Sequence, residues 1–431
     1  MSKFASLKHR LRMWAHAKLL TIQWRREAAR VTVARDIASC AHLLILPSDP
    51  WTLIGAKGDE AMMRAVVQQL QEVNHHLKVT VVTATHEASE SARHLGFEAI
   101  DAWRDPWRLR RTVERLAALR PDAVVVVGAD VMDGYYSPIT SLRLLATADL
   151  LVRRGAHGAI LGFSFNSLPN PQLKSAFDRI DPRLALNVRD GISLARFRRF
   201  SCAHAELVAD SAFMLRPDDA SERVREAAEW VAARRAEGDV VIGFNIHPML
   251  VRRASDADIA ALTVSAREAI GRLAAQGRIG VILLSHDYRG RDGDDTCLEP
   301  LHHALKGVLR ERIFYPRARM SAAELKAISG LVDGVVTGRM HLAIASLGMG
   351  VPVAALTYQD KFHGLFNHFG LPYTFLLKPE EAMCPGNLAV VLERFVSELP
   401  QLRDTVRDAL PRVKEASGKN LRSVIPAFRP S

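Results

Sequence analysis

Long apolar runs are missing from this chain of 431 residues. No segment approaches the roughly 18 consecutive apolar residues that a membrane-spanning helix needs. The N-terminus also lacks the apolar centre and small-residue cleavage site of a secretory signal. The sequence therefore predicts a cytoplasmic protein.

Cysteine is scarce as well. The four cysteines, Cys40, Cys202, Cys297 and Cys384, lie far apart and show no paired spacing of the kind that metal ligands have. They are interpreted as reduced structural thiols, as expected in the cytoplasm. The sequence predicts no metal site.

Acidic residues are outnumbered, with 47 Asp and Glu against 58 Lys and Arg and a net charge of +11. This excess favours anionic ligands or surfaces. The arginines are scattered along predicted helices, and no basic stripe with interleaved aromatic residues occurs. The distribution argues against a nucleic acid partner.

Residues 1–40 are predicted to form a basic amphipathic helix. Only one acid, Glu27, precedes Arg35, and Trp14 and Trp24 lie among leucines and isoleucine. Such a helix can lie as a peripheral contact on the anionic inner face of the cell membrane. Alternatively, it packs on the protein body with its arginines solvated.

From residue 41 onward, short apolar runs alternate with helical patterns, which predicts βαβ units and mostly parallel sheets in an α/β fold. The length fits two domains of about 200 residues each. The predicted boundaries are an N-terminal α/β domain at 41–215, a connector helix at 216–239, a C-terminal α/β domain at 240–399 and a helical tail at 400–431. A terminal helix is expected at 388–399, and helices are also expected at 141–154 and 170–180.

The segment 331–361 is the most informative one. It predicts a strand at 331–337, a helix at 340–347 and a strand at 351–356, with Gly348 and Gly350 at a helix exit that favours positive φ. Arg339 and His341 then lie where a strand ends and a helix begins, a place that binds anions in open α/β sheets. Alternatively, Arg339 pairs with a structural acid and His341 is a satisfied core residue.

Other polar residues follow neighbouring strands. Lys361 comes after the last strand of this segment, Asn245 and His247 after the first strand of the second half, and His286 after the next. We expect them to form one polar rim with Arg339 and His341. The acid-rich loop 292–295 is interpreted as solvated, with metal binding as the alternative.

In the first half, Gly55, Gly58, Asp59 and Glu60 join the first strand to its helix. Gly58 or Asp59 can cap that helix, and the loop is also predicted to bind a ligand. Asp130 follows the strand at 123–127 and can contact sugar hydroxyls or stabilise a turn.

Five motifs, taken in order, resemble the polysaccharide pyruvyl transferase family over about residues 41–375. They are Gly-x-x-Gly-Asp-Glu-Ala at 55–61, Val-Arg-Asp-x-x-Ser at 188–193, Ala-Asp-Ser-Ala-Phe at 209–213, Ser-His at 285–286, and Gly-Arg-Met-His at 338–341 followed by Gly-Val-Pro at 350–352. For the Arg-Asp pair within these motifs, structural pairing is the favoured interpretation. For Asp210, a helix cap and an inter-domain hydrogen bond are both open.

The resemblance implies two Rossmann-like domains facing a cleft, similar to GT-B glycosyltransferases. It implies phosphoenolpyruvate as co-substrate with no other cofactor, and an oligosaccharide or lipid-linked glycan as acceptor. The product is a pyruvate ketal on an exopolysaccharide or its precursor.

The resemblance implies donor-binding and catalytic roles for Arg339 and His341, and the positions of the other polar residues after strands predict the rest of the site. His341 and Arg339 would be catalytic. Donor binding would involve Arg339, Lys361, His247, Asn245 and His286, and acceptor binding Gly55, Gly58, Asp59, Glu60 and Asp130. The chain departs from the family at Gly128-Ala-Asp130 and at Asn245-Ile-His247, where an arginine is usual. Two alternatives stay open: a nucleotide-sugar glycosyltransferase of the GT-B type and a non-catalytic glycan-binding relative.

Overall fold

The computed structural model describes residues 3–31, 41–53, 57–251, 254–357, 360–384 and 386–429. Contacts divide the chain into two compact units. The first comprises Met1–Ile54, Met62–Ser211 and Ala416–Ser431, and the second comprises Gly55–Ala61 and Ala212–Glu415.

Each unit is built on a fully parallel sheet. The strands are β1 His42–Leu46, β2 Lys78–Thr83, β3 Glu98–Asp101, β4 Ala123–Val126, β5 His157–Phe163, β6 Leu184–Val188, β7 Glu206–Leu207, β8 Val240–Asn245, β9 Ile279–Leu283, β10 Ile313–Phe314, β11 Gly334–Thr337, β12 Val353–Leu356 and β13 Leu376–Leu377.

Helices connect and cover these strands. They are α1 Lys3–Arg30, α2 Lys57–Val73, α3 His86–His94, α4 Leu109–Ala117, α5 Pro138–Arg153, α6 Lys174–Phe177, α7 Gly191–Phe200, α8 Glu222–Ala236, α9 Asp256–Gln276, α10 Asp295–Leu309, α11 Ala322–Leu331, α12 Met340–Gly348, α13 Lys361–Phe369, α14 Pro379–Ala382 and α15 Asn387–Gly418. No described helix has both the length and the apolarity to cross a bilayer.

The first sheet has the strand order β3-β2-β1-β4-β5-β6-β7. Its central strands are apolar on both faces because helices cover both sides of a parallel sheet, and β1 and β4 are buried along their whole length. Phe163, Phe165, Phe177 and Phe197 form an aromatic cluster below the β5 end, with ring centroids 5.0–6.3 Å apart.

The second sheet has the order β10-β9-β8-β11-β12-β13. Counted within the unit, this is the 3-2-1-4-5-6 order of a Rossmann sheet. The four central strands are β9, β8, β11 and β12, so the residues that follow them meet at one edge. That edge carries most of the polar residues identified from the sequence.

The unit boundaries differ from the predicted ones in several segments, and the predicted connector 216–239 is part of the second unit while Ala416–Ser431 belongs to the first. The segment Gly55–Ala61 belongs to the second unit because the Lys57 backbone nitrogen donates to the His286 carbonyl, 3.2 Å away. The predicted break near residue 400 is absent: α15 is one helix of 32 residues that continues through Pro400 and Pro411.

Several predicted elements also differ. The helix expected at 170–180 is a 3-10 turn, Pro171–Leu173, followed by the four residues of α6. Neither α3 nor the edge strand β3 was predicted. Gly350 has the expected positive φ of 78°, whereas Gly348 lies inside α12.

Gly348 instead makes room for a buried lysine. A Cβ at this position would lie 3.2 Å from the Nζ of Lys326, which is only 2% exposed and donates a 2.8 Å hydrogen bond to the Phe213 carbonyl. Burial lowers the pKa of Lys326 to about 7, with the charge of Lys414 adding to the effect. This lysine therefore loses its proton in the folded chain far more readily than in water.

We expect the stability of the protein to rise between pH 7 and about pH 10. In that window the unfolded chain holds a proton on Lys326 that the folded chain has released, so the free energy of unfolding increases with pH. Lys326→Met should flatten this part of a stability-against-pH curve measured by urea unfolding. The exposed Lys306, changed to Met, should leave the slope unchanged; equal slopes in both variants would contradict the assignment.

Candidate active site at the edge of the second sheet

Asp294 is the central residue of this edge, although it lies in the loop between β9 and α10. Its carboxylate is completely buried. One oxygen accepts from the Nε and Nη2 of Arg339, at 2.8 and 2.6 Å, and the other accepts from the Asn245 side chain and the His286 backbone nitrogen, both at 2.7 Å. The interpretation of 292–295 as a solvated loop is therefore wrong for Asp294, while Asp292 is exposed. Burial raises the pKa of Asp294, and the charge of Arg339 opposes that rise.

Arg339 is held on several sides. It precedes α12, and its side chain is only 12% exposed. Besides Asp294, its Nη1 lies 3.1 Å from the carboxylate of the buried Asp287, and Nη2 donates to the Asp292 carbonyl at 3.1 Å. This is the pairing with structural acids that the sequence left open. The predicted roles of Arg339 in donor binding and catalysis stay predictions.

Asp287 also binds a second arginine. Nη2 of Arg289 lies 2.6 Å from Asp287, and the Arg289 side chain is 34% exposed. Two aspartates thus face two arginines, so the cluster is close to electrically neutral. Arg289 was not singled out from the sequence as a site residue.

Asn245 connects the ends of three strands. Its amide nitrogen also donates to the Leu284 carbonyl at 2.8 Å, and its side-chain oxygen accepts from the Thr337 hydroxyl at 3.1 Å. Thr337 in turn accepts from the Arg339 backbone nitrogen. Asn245 is fully buried, and its side-chain hydrogen bonds hold the ends of these strands together.

His341 lies one residue into α12 and is partly exposed. Its ring is almost parallel to that of His286, with an interplanar angle of 8° and centroids 6.5 Å apart. The ring also rests against the first turn of α2: a Cβ added to Gly58 would lie 2.2 Å from the His341 Nδ1. Only glycine at 58 permits this approach.

The first turn of α2 is fixed to the second unit by Glu60. This carboxylate is 1% exposed, accepts from the Ala322 backbone nitrogen at 2.9 Å and pairs with Lys57 at 2.7 Å. Asp59 lies in the same turn and is 8% exposed. Gly55 lies outside the described residues. The acceptor-binding roles predicted for this loop stay predictions.

His247 and His286 differ from His341 because both are buried, at 2% and 4% exposure. Burial lowers the pKa of each well below the usual value for histidine. The charge of Arg339 adds to the shift in both, and His341 and Lys57 contribute to that of His286. Both rings are therefore neutral at physiological pH.

Lys361 begins α13 after β12, and its charge contributes to lowering the His247 pKa. The predicted rim of Arg339, His341, His247, His286, Asn245 and Lys361 is thus assembled at one sheet edge. Sequence reasoning missed Asp294 as a site residue, because nothing in the acid-rich run 292–295 indicates which carboxylate is buried.

In the first unit, the remaining motif residues have structural contacts. Arg189 pairs with Asp210 at 2.9 Å while both are buried, and Asp190 caps α7 by accepting from the Ser193 backbone nitrogen at 2.7 Å. Asp130 is partly exposed in the loop after β4. Its acceptor-binding role stays a prediction.

Solved structures show which fold class this is. The chain is similar to a Listeria monocytogenes protein assigned as a UDP-N-acetylglucosamine 2-epimerase, with 13% identity and a TM-score of 0.57 over 90% of this chain and 96% of the other. It is also similar to a glycosyltransferase from Rickettsia africae (11%, 0.53, 90% and 99%) and to a Neisseria meningitidis UDP-GlcNAc 2-epimerase bound to UDP-GlcNAc (10%, 0.53, 89% and 99%). The predicted fold of two Rossmann-like domains of the GT-B type is confirmed.

Within that class, the family model for polysaccharide pyruvyl transferases matches residues 57–360. The chain belongs to the polysaccharide pyruvyl transferase family, as its motifs predicted. No curated protein matches the chain. Membership supports a transferase of polysaccharide biosynthesis.

Asp294→Ala should destabilise the second unit by about 3 kcal/mol or more, because Arg339 and two further donors would lose a buried partner. The midpoint of urea unfolding measures this. Asp292→Ala, two residues away and exposed, should change the free energy of unfolding by less than about 0.5 kcal/mol. Similar midpoints for the two variants would show that the Asp294 contacts do not stabilise the fold.

Proposed function

We propose that this chain transfers pyruvate from phosphoenolpyruvate to two hydroxyls of one sugar in a surface polysaccharide or its precursor, forming a cyclic ketal. Family membership supports the reaction class. The observation that carries the proposal is the position of His341: unlike the buried His247 and His286, it is partly exposed, and it lies at the start of α12.

The chemistry needs a proton carrier and a positive environment. The methylene carbon of phosphoenolpyruvate takes up a proton and becomes a methyl group, and one sugar hydroxyl adds to the adjacent cationic carbon. The bond from that carbon to the phosphate oxygen then breaks, and the second hydroxyl closes the ring. The sugar loses two hydroxyl protons in all. One of them accounts for the proton gained by the methyl group, and the other leaves with phosphate. No oxidant or metal is required by this balance.

His341 is proposed as the group that moves these protons, since imidazole can both donate and accept near neutral pH. The buried His247 and His286 are unsuited to donate because their lowered pKa values leave them unprotonated. The His286 ring lies parallel to the His341 ring, with centroids 6.5 Å apart.

Three groups other than Arg339 are proposed to bind the negatively charged phosphate and carboxylate of the donor. Arg339 is largely neutralised by Asp287 and Asp294, so we assign it chiefly to positioning α12. Lys361, the partly exposed Arg289 and the backbone N–H groups that open α12 are assigned to binding phosphate and carboxylate. The acceptor is proposed to be an oligosaccharide or a lipid-linked glycan in the cytoplasm.

The direct test incubates the protein with phosphoenolpyruvate and defined oligosaccharides, and measures phosphate release together with the mass gained as a pyruvate ketal. Phosphoenolpyruvate alone should also raise the melting temperature, because a ligand that binds the folded state stabilises it. Stabilisation by nucleotide sugars in place of phosphoenolpyruvate would favour a glycosyltransferase. Ligand binding without phosphate release, across all acceptors, would favour a non-catalytic glycan-binding protein.

His341→Ala should lower kcat by on the order of 10²-fold or more, the usual contribution of a general acid or base. His303, which is exposed on α10, provides the matched control. His303→Ala should keep full turnover. Undiminished phosphate release by His341→Ala would remove this residue from the mechanism.

Gly58→Ala should reduce turnover while leaving the fold intact. The new Cβ would lie 2.2 Å from the present position of the His341 Nδ1, so the ring would be displaced. Gly271→Ala is the control: this glycine lies within α9 and a Cβ there meets nothing within 4 Å. It should retain activity and gain up to about 1 kcal/mol of stability. Equal activities for the two alanine variants would mean that the contact between Gly58 and His341 has no catalytic importance.

A further inference from the structure

We propose that the outer face of α1 docks the protein on an anionic lipid bilayer surface. The outer face is defined by seven exposed residues: Arg12, Trp14, Lys18, Leu19, Ile22, Arg25 and Arg26. This inference does not depend on the proposed reaction.

The inner face of α1 is firmly attached to the first unit. Ala17, Leu20 and Trp24 are at most 5% exposed, and the Trp24 indole donates a 2.7 Å hydrogen bond to the buried Asp149 of α5. The rings of His16 and Trp107 stack with centroids 3.6 Å apart. The helix is therefore fixed in orientation, and its opposite side is presented to solvent.

The outer face carries large apolar side chains. Trp14 is 53%, Leu19 41% and Ile22 44% exposed. A protein surface does not usually leave such residues grouped on one helix without a partner. Tryptophan is especially suited to the boundary between lipid headgroups and acyl chains.

The charges around these apolar residues have one sign. Among residues 3–30 the sole acid is Glu27, which is 6% exposed and pairs with Arg30 on the helix flank. In the part of the chain that the structure describes, Arg12, Arg25 and Arg26 take part in no ion pair. Arg111 of α4 lines the same shallow cavity as Arg26 and Arg30, where the acid Glu114 is paired with Arg110.

This combination fits a lipid surface better than a nucleic acid. Phosphate groups of either partner would attract the arginines, but the aliphatic Leu19 and Ile22 gain free energy only by leaving water for an apolar phase. Because the helix is already folded and held by its inner face, docking costs little conformational entropy.

The test is cosedimentation of the full chain with vesicles of phosphatidylcholine alone or mixed with phosphatidylglycerol. We expect binding to the mixed vesicles, weaker binding at high salt because charges are screened, and little binding to phosphatidylcholine alone. A blue shift of tryptophan emission on the mixed vesicles should be lost in Trp14→Phe. Vesicle binding equal for both compositions would overturn the proposal.

Two charge variants sharpen the result. Arg25→Gln with Arg26→Gln should weaken vesicle binding by roughly fivefold for each charge removed. Arg198→Gln with Arg199→Gln removes the same charge from exposed positions of α7 and should bind like the wild type. Circular dichroism should show both variants folded. Equal binding by the two double variants, or tighter binding of the wild type to an RNA homopolymer than to mixed vesicles, would refute docking through α1.

Discussion

The arrangement of the sheet edge in the second unit depends on the hydrogen bonds that the buried carboxylate of Asp294 accepts. A charge with no solvent contact is tolerated only when hydrogen bonds replace its lost hydration. Asp294 obtains them from the end of β8, the loop after β9 and the residue that precedes α12. Satisfying this one group therefore fixes three chain segments relative to each other, and α12 brings His341 to a defined place.

Close backbone approach is the second constraint. Gly58 allows the His341 ring to rest on the first turn of α2, and Gly338 does the same for His247, whose Nε2 would lie 2.7 Å from a Cβ at that position. Two imidazoles are thus placed by the absence of a side chain. The first turn of α2 is joined to this edge by Glu60 and Lys57, so a segment far away in sequence completes the environment of His341.

Much of this could be predicted from the sequence, for physical reasons that apply to parallel sheets. Strands covered on both faces are continuous apolar runs, so β1, β4, β8 and β12 were visible, and the polar residues after them had to meet at one edge. Burial of individual charges could not be predicted, because Asp292 and Asp294 have identical side chains and similar neighbours. Only the fold makes the first exposed and the second inaccessible.

Gly348 illustrates the same limit. A glycine near a predicted helix end suggested positive φ, yet the residue is helical and its small size accommodates Lys326. Gly350, two residues later, has the left-handed conformation. The sequence shows that a small residue is needed but not whether conformation or space is the reason.

The N-terminal helix shows that two interpretations of one pattern need not exclude each other. Packing on the body and lying on a membrane were alternatives when only the composition was considered, since each needs an apolar face. In the structure the apolar residues of α1 are divided between opposite sides. Ala17, Leu20 and Trp24 are buried, while Trp14, Leu19 and Ile22 are exposed among arginines. A helix with apolar residues all round and cations on one side has enough apolar surface for both contacts, so attachment to the first unit does not consume the face that could meet lipid.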